Sequence, residues 1–188
     1  MKKKQDTDRQ KIFYIVCLFF LLGTAGGAAA ANLLPMEEQG EIMLFLQQME
    51  EGQAVPSFGR ILWKYLKYVL LIWLGGWMQM GLFLSGAVYL FCSASLGFTA
   101  AMLLVTYGGR GIVLVAGLLL PQNLLLIPAY VLMMWAALYY MFHWQEAEGK
   151  RGLKRERRRK QTEYCILFGG AVLLLAGASG VEFLLLSF

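Results

Sequence analysis

Three polar residues lie inside otherwise apolar stretches of the chain: Gln122, Asn123 and Glu182. An unpaired polar group is costly to bury in a membrane, so such residues mark functional sites or structural bends. Pro121 directly precedes the two amides and Pro128 follows them, and each proline removes a backbone donor from a helix. The amides are therefore expected either to satisfy the carbonyl groups that the prolines leave free or to contribute to a binding surface.

Glu182 is predicted near the outer interface of the membrane, because it lies close to the carboxyl end of the last apolar stretch. A carboxylate there costs much less than the ~2.5 to 3.5 kcal/mol estimated for a charge at the bilayer midplane. Two arrangements stay open from the sequence: the carboxylate is solvated, or it bonds the helix ends around Pro121.

No pattern in the sequence predicts catalysis or metal binding. The serines in apolar stretches lie beside glycine or alanine, and no adjacent base marks any of them as a nucleophile. These serines are Ser85, Ser93, Ser95 and Ser179. The single histidine, His143, lies beside Trp144 at the end of an apolar stretch, and Cys17, Cys92 and Cys165 match no metal or disulfide spacing. The sequence therefore predicts neither an enzyme nor a cofactor site.

The composition predicts an all-α integral membrane protein. Of 188 residues, 59% are hydrophobic and 15% are charged, which is typical of a chain folded in a bilayer. The net charge of +5 does not indicate nucleic-acid binding, because the basic residues concentrate in two patches beside apolar stretches. One patch lies within residues 1–11. The other comprises Lys150, Arg151, Lys154, Arg155, Arg157, Arg158, Arg159 and Lys160, and is expected to attract anionic lipid at about 1 kcal/mol per residue.

The hydropathy pattern predicts one polytopic domain, residues 1–188, with about five transmembrane helices. The predicted spans are 12–31, 68–91, 93–107, 111–144 and 164–186. The fourth is too long for one straight span, because the 32 residues of 111–142 would form a helix of about 48 Å against a hydrocarbon core of roughly 30 Å. It is predicted to break near Pro121.

Two alternatives to this count stay open. The first span has the basic head and the alanine-rich end of a signal peptide, although its length favours an uncleaved anchor. The third, residues 93–107, is short for a span and could instead form one arm of a re-entrant hairpin with residues 111–120.

The positive-inside rule places both basic patches in the cytoplasm. This requires an even number of spans between the two patches, and the four predicted spans satisfy the condition. The amino end is then cytoplasmic and the carboxyl end extracytoplasmic. The same assignment places the basic loop 145–163 inside and the acidic segment 32–60 outside.

The outer segment 32–60 is predicted to contain an amphipathic helix, with apolar residues at helical spacing on one face and acidic residues opposite. Such a helix either lies on the outer leaflet and the spans or forms a docking surface for an extracytoplasmic partner. The candidate docking residues are Glu37, Glu38, Glu41, Ile42, Phe45, Leu46 and Met49.

Three stretches of the sequence resemble one known family. They are LPQNLLLIPAY from Leu120 to Tyr130, YVLLIW from Tyr68 to Trp73, and LGFTA from Leu96 to Ala100. Together they resemble the stage II sporulation protein M family of endospore-forming bacteria, over roughly residues 11–188. The resemblance also implies that an acidic residue late in the last helix, here Glu182, is a shared feature.

The resemblance implies a non-enzymatic scaffold in the bacterial cell membrane that acts during engulfment at the septum. Its implied partners are two peptidoglycan-cleaving enzymes, a stage II sporulation protein D-like transglycosylase and a stage II sporulation protein P-like amidase. The residues themselves leave an alternative, a subunit of a membrane transporter or permease, because amides beside a broken helix also form substrate sites in transporters. A homo-oligomer would supply the symmetry that a transporter of this size requires.

Overall fold

The computed structural model describes residues 2–35, 57–78, 81–148 and 154–187, together with positions 40, 41 and 44. Every regular element in these ranges is a helix, which confirms the all-α prediction. The elements are α1 (Lys2–Leu33), α2 (Phe58–Gly75), α3 (Gly81–Tyr107), α4 (Gly109–Leu114), a π-helical turn (Val115–Leu119), α5 (Leu120–Glu148) and α6 (Lys154–Ser187).

Four helices in the described ranges are long and apolar enough to cross a membrane. They cover Arg9–Leu33, Gly81–Tyr107, Leu120–Phe142 and Gln161–Leu185. The shortest has 23 residues, about 35 Å of helix, which exceeds a hydrocarbon core of roughly 30 Å. Helix α2 is not among them, since its 18 residues include three basic side chains. The membrane-protein class is confirmed, with four such helices rather than the five expected.

Two predicted spans have different boundaries in the structure. The predicted span 68–91 is interrupted after Gly75, and the predicted boundary at 92–93 falls inside the continuous helix α3. Glycine is a poor helix former, and the sequence GGWM at positions 75–78 ends α2 in a turn in which the N–H of Gly76 bonds the carbonyl groups of Ile72 and Trp73. The 27 residues of α3 then form one full-length helix.

The predicted break near Pro121 is not found as an interruption of the helix: residues 109–148 are helical throughout, and a π-helical turn lies just before the proline. Val115–Leu119 is π-helical, and Pro121 is the second residue of α5. The proline ring would crowd the carbonyl of Gly117, four residues earlier, and the wider π turn relieves this clash. Pro128 lies inside α5 without ending it, as membrane helices tolerate when neighbouring elements support them.

Helices α1 and α3 pack in parallel, since residues early in α1 contact residues early in α3 and residues late in α1 contact residues late in α3. Near the start of both spans the Tyr89 hydroxyl donates to the Val16 carbonyl at 3.1 Å, and near their ends Ala31 and Ala101 share a buried cluster. The close approach requires glycine, since a Cβ on Gly27 would overlap the α3 backbone. Small residues at helix crossings serve this purpose in membrane proteins.

Helix α2 runs antiparallel to α3. The backbone of Gly75 touches that of Gly81 where α3 begins, and the Ser85 hydroxyl donates to the Ile72 carbonyl at 3.0 Å. Buried residues of α2, including Val69 and Ile72, join the central hydrophobic core.

Helices α5 and α6 form an antiparallel pair. The rings of Tyr140 late in α5 and Tyr164 early in α6 stack at 4.7 Å, whereas Leu125 early in α5 lies against Gly177 late in α6. The Tyr164 hydroxyl also donates to the Trp73 carbonyl of α2 at 2.8 Å. These contacts bring Arg9, Arg158 and Arg159 to one end of the bundle, here called the basic end.

Candidate functional site

A polar cleft of about 240 Å³ lies between α2, α3 and the start of α5. Its polar side chains come from all three helices: Lys64, Tyr65, Ser95, Thr99, Gln122 and Asn123. Its apolar walls are Tyr68, Phe91, Cys92, Leu96, Leu119, Leu126 and Tyr130. The cleft therefore combines an apolar lining with a few convergent polar groups, which is the usual character of a binding site.

The amides of Gln122 and Asn123 enter the cleft from the first turn of α5. Both residues are half-buried, and neither has a hydrogen-bond partner in the part of the chain that the structure describes. The expected bonds from these amides to carbonyl groups freed by the prolines are thus not found in that part. Each amide keeps two donor hydrogens and one carbonyl acceptor for an external partner.

Ser95 and Thr99 present acceptors to the cleft. The Ser95 hydroxyl donates to the Phe91 carbonyl at 2.8 Å, and the Thr99 hydroxyl donates to the Ser95 carbonyl at 2.9 Å. Because each hydroxyl hydrogen is used within α3, the oxygen lone pairs are what remains for the cleft. This geometry suits recognition of polar groups and does not resemble an activated nucleophile.

Glu182 lies beside the cleft and binds two residues of α2. Its carboxylate accepts a hydrogen bond from the Tyr65 hydroxyl at 2.5 Å and pairs with the Lys64 ammonium at 3.3 Å. The Glu182 side chain is 14% exposed and that of Lys64 is 59% exposed, so the pair is open to solvent or headgroups on the lysine side only. Sequence reasoning identified Glu182 but missed Tyr65 and Lys64 as its partners.

The remaining candidate residues are distributed outside the cleft. Pro128 is exposed on α5, and Glu41 is exposed in the outer segment. The docking candidates Glu37, Glu38, Ile42, Phe45, Leu46 and Met49 lie outside the described residues, as do Lys150 and Arg151. Of the basic patch, Lys154, Arg155, Arg157 and Lys160 belong to α6, and Arg158 and Arg159 are exposed there.

Comparison with known proteins gives one result. No curated protein and no solved structure matches the chain. The family described as stage II sporulation protein M matches residues 16–184, which contain the cleft, the Glu182 contacts and all four apolar spans except the first residues of α1 and the last residue of the span in α6. The chain therefore belongs to the stage II sporulation protein M family of sporulation-related membrane proteins.

Proposed function

We propose that the chain is a non-enzymatic scaffold that recruits and anchors peptidoglycan-cleaving enzymes at the septal membrane during engulfment. The proposed partners are a stage II sporulation protein D-like transglycosylase and a stage II sporulation protein P-like amidase. One observation carries the proposal beyond family membership: Gln122 and Asn123 line a cleft whose chemistry suits recognition rather than catalysis, and neither amide has a hydrogen-bond partner among the residues that the structure describes.

The direction of the helices supports a topology with five crossings. Because α1 and α3 are parallel, a chain that leaves α1 on one side of the membrane must return to the other side before α3 begins. Helix α2 lies antiparallel to α3 and makes that return. With the basic end in the cytoplasm, the amino end is cytoplasmic, the carboxyl end is extracytoplasmic, and α2 begins on the outer side.

The outward face of α2 supports binding of an acidic partner on that outer side. Arg60, Lys64 and Lys67 are all exposed on this helix. The Lys67 ammonium lies 4.9 Å from the centre of the Tyr68 ring, and long basic side chains in membrane helices reach toward the interface. A cation that faces only lipid is energetically costly. A partner that places carboxylates against this face would therefore bind favourably.

The scaffold proposal predicts that the tagged protein, purified in mild detergent from membranes of sporulating cells, retains both wall-cleaving enzymes. The bound proteins are identified by mass spectrometry. Recovery of neither enzyme in an intact, monodisperse preparation would overturn the proposal.

The outer segment is tested separately by deleting residues 37–51, which include the acidic candidates. If this segment is the docking surface, recovery of the enzymes falls by about tenfold or more, equivalent to about 1.4 kcal/mol of binding free energy. Unchanged recovery would assign docking to the cleft and the α2 face instead.

The alternative function is a transporter subunit, and the cleft is the observation that favours it. A recess lined by amides and hydroxyls at the start of a helix resembles the substrate sites of transporters with discontinuous helices. The double variant Gln122→Leu with Asn123→Leu would then abolish solute flux in reconstituted vesicles while the protein stays assembled with its partners. Absence of flux in wild-type vesicles would remove this alternative.

A further inference from the structure

A second crevice, separate from the polar cleft, opens at the basic end of the bundle. It has a volume of about 310 Å³ and lies between α1 and α6, with α5 as its floor. Trp135 and Tyr139 of α5 stack in the floor with ring centres 5.6 Å apart. Ile166 and Leu167 of α6 form one wall, and Ile166 is 66% exposed. The crevice is thus an aromatic and aliphatic surface that faces away from the protein core.

Arg9 lies at the mouth of this crevice. Its guanidinium carbon is 4.8 Å from the centre of the Tyr139 ring, and the Trp135 indole N–H donates to the Arg9 backbone carbonyl at 3.2 Å. The two contacts fix both the backbone and the side chain of the arginine on α5. A guanidinium stacked on a ring keeps its N–H donors available at its edge, where they match the oxygen atoms of a phosphate.

The mouth of the crevice lies at the level where membrane headgroups are expected. The apolar spans of α1 and α6 begin at Arg9 and Gln161, and that of α5 ends at Phe142. The polar mouth therefore coincides with the ends of three apolar spans, and the body of the crevice extends along them. This arrangement matches a molecule with a charged head and an apolar chain.

Among the residues whose side chains the structure describes, cations outnumber carboxylates around the mouth. In that part of the chain one carboxylate, that of Glu163, lines the crevice, and it pairs with the Arg159 guanidinium at 3.2 Å. Arg158 is exposed next to this pair. The pairing offsets the negative charge of Glu163, so that the Arg9 guanidinium on the lining favours an anion.

We propose that this crevice binds one anionic phospholipid from the adjoining leaflet. The phosphate accepts hydrogen bonds from the Arg9 guanidinium, and the first part of an acyl chain lies along Trp135 and Leu167. The bound lipid fills the space between α1 and α6 and is distinct from the diffuse attraction of lipid to the basic patch. The site depends on the membrane-protein fold and not on the proposed scaffold function.

The test compares two variants that each remove one positive charge from the basic end. Arg9→Gln changes the crevice, whereas Arg158→Gln changes an exposed arginine outside its lining. Each protein is exchanged into vesicles containing equal amounts of phosphatidylglycerol and phosphatidylcholine, extracted in mild detergent and washed in about 1 M salt, where the Debye length is about 3 Å and diffuse attraction is screened. The lipid retained per chain is then quantified by mass spectrometry.

The expected result is that the wild type and Arg158→Gln retain phosphatidylglycerol at one molecule per chain, while Arg9→Gln retains about a tenth or less. Equal retention by the two variants, or equal retention of both lipids by the wild type, would overturn the proposal. If Arg9→Gln fails to fold, Leu167→Trp supplies the second variant, since it fills the crevice and leaves Arg9 in place; it should also lose the lipid. A last comparison uses inorganic phosphate alone in place of the lipid. If phosphate raised the thermal unfolding temperature of the protein as much as phosphatidylglycerol does, the result would contradict a lipid site.

Discussion

Glu182 joins α6 to two residues of α2 beside the polar cleft. Its carboxylate takes the Tyr65 hydroxyl hydrogen at 2.5 Å and pairs with Lys64 at 3.3 Å. A hydrogen bond to a charged group contributes roughly 1.5 to 3 kcal/mol, and a carboxylate that loses such a partner keeps the cost of its burial. We infer that these two bonds hold α6 against α2 beside the polar cleft.

Replacing Tyr65 with phenylalanine should lower the free energy of unfolding by roughly 1.5 to 3 kcal/mol, because the ring stays and only the donor to Glu182 is lost. The matched control is Tyr14→Phe, which removes the hydroxyl of a tyrosine that is 70% exposed and should leave stability unchanged. Unfolding is followed by circular dichroism in detergent. Equal stability of the two variants would show that the Glu182 contact is not structural.

The sequence could identify the polar residues in and beside the cleft only in part. Gln122, Asn123 and Glu182 stand out because they are polar within apolar stretches, and that signal is local. Lys64 and Tyr65 instead fit the pattern of headgroup residues at the start of a span, and the contact that gives them their role joins positions 117 and 118 residues apart. Local composition carries no information about such a pairing.

At the scale of elements, the positions at which helices end and begin determine which residues line the cleft. The turn after Gly75 allows α2 and α3 to lie antiparallel, and this brings Lys64 and Tyr65 beside Ser95 and Thr99. Hydropathy predicts apolar segments but does not separate two helices joined by a short apolar turn, which is why the predicted spans 68–91 and 93–107 had wrong boundaries. An irregularity near Pro121 was predictable because proline has a specific steric effect, but the helix widens into a π turn there and is not interrupted.

Two neighbouring glycines of α1 test the packing against α3. A Cβ on Gly27 would overlap the Ala94 carbonyl, whereas a Cβ on Gly26 meets nothing within 4 Å. Gly27→Ala should destabilise the protein by roughly 1 to 3 kcal/mol through overpacking. Gly26→Ala should be neutral or stabilising by up to about 1 kcal/mol, because alanine is the better helix former. Thermal unfolding in detergent measures both, and a Gly27 variant as stable as the Gly26 variant would contradict the observed helix contact.

At the scale of the whole molecule, the parallel packing of α1 and α3 determines the path of the chain. The sequence predicted an even number of crossings between the two basic patches, and α1, α2, α3 and α5 supply four when α2 crosses. Our proposal that α2 is the returning helix does not come from hydropathy, since the basic residues of α2 lower its apolar character. The proposal rests on contacts between distant helices.

Cysteine labelling tests this path directly. Single cysteines at Ser57 and Met78, both exposed at opposite ends of α2, are introduced after Cys17, Cys92 and Cys165 are replaced. A membrane-impermeant maleimide added to intact cells should label Ser57→Cys and leave Met78→Cys unlabelled until the membrane is opened. Labelling of both from outside would mean that α2 does not cross.

We propose that the polar cleft is a surface through which the scaffold holds its enzymes. The most direct measurement is the recovery of the transglycosylase and the amidase with the double variant Gln122→Leu and Asn123→Leu, compared with Leu124→Ala. Leu124 is adjacent on α5, 69% exposed and outside the cleft lining. We expect the double variant to stay monodisperse and to recover about tenfold less of both enzymes, or still less, while Leu124→Ala recovers both enzymes as the wild type does. Full recovery with the double variant would contradict the claim.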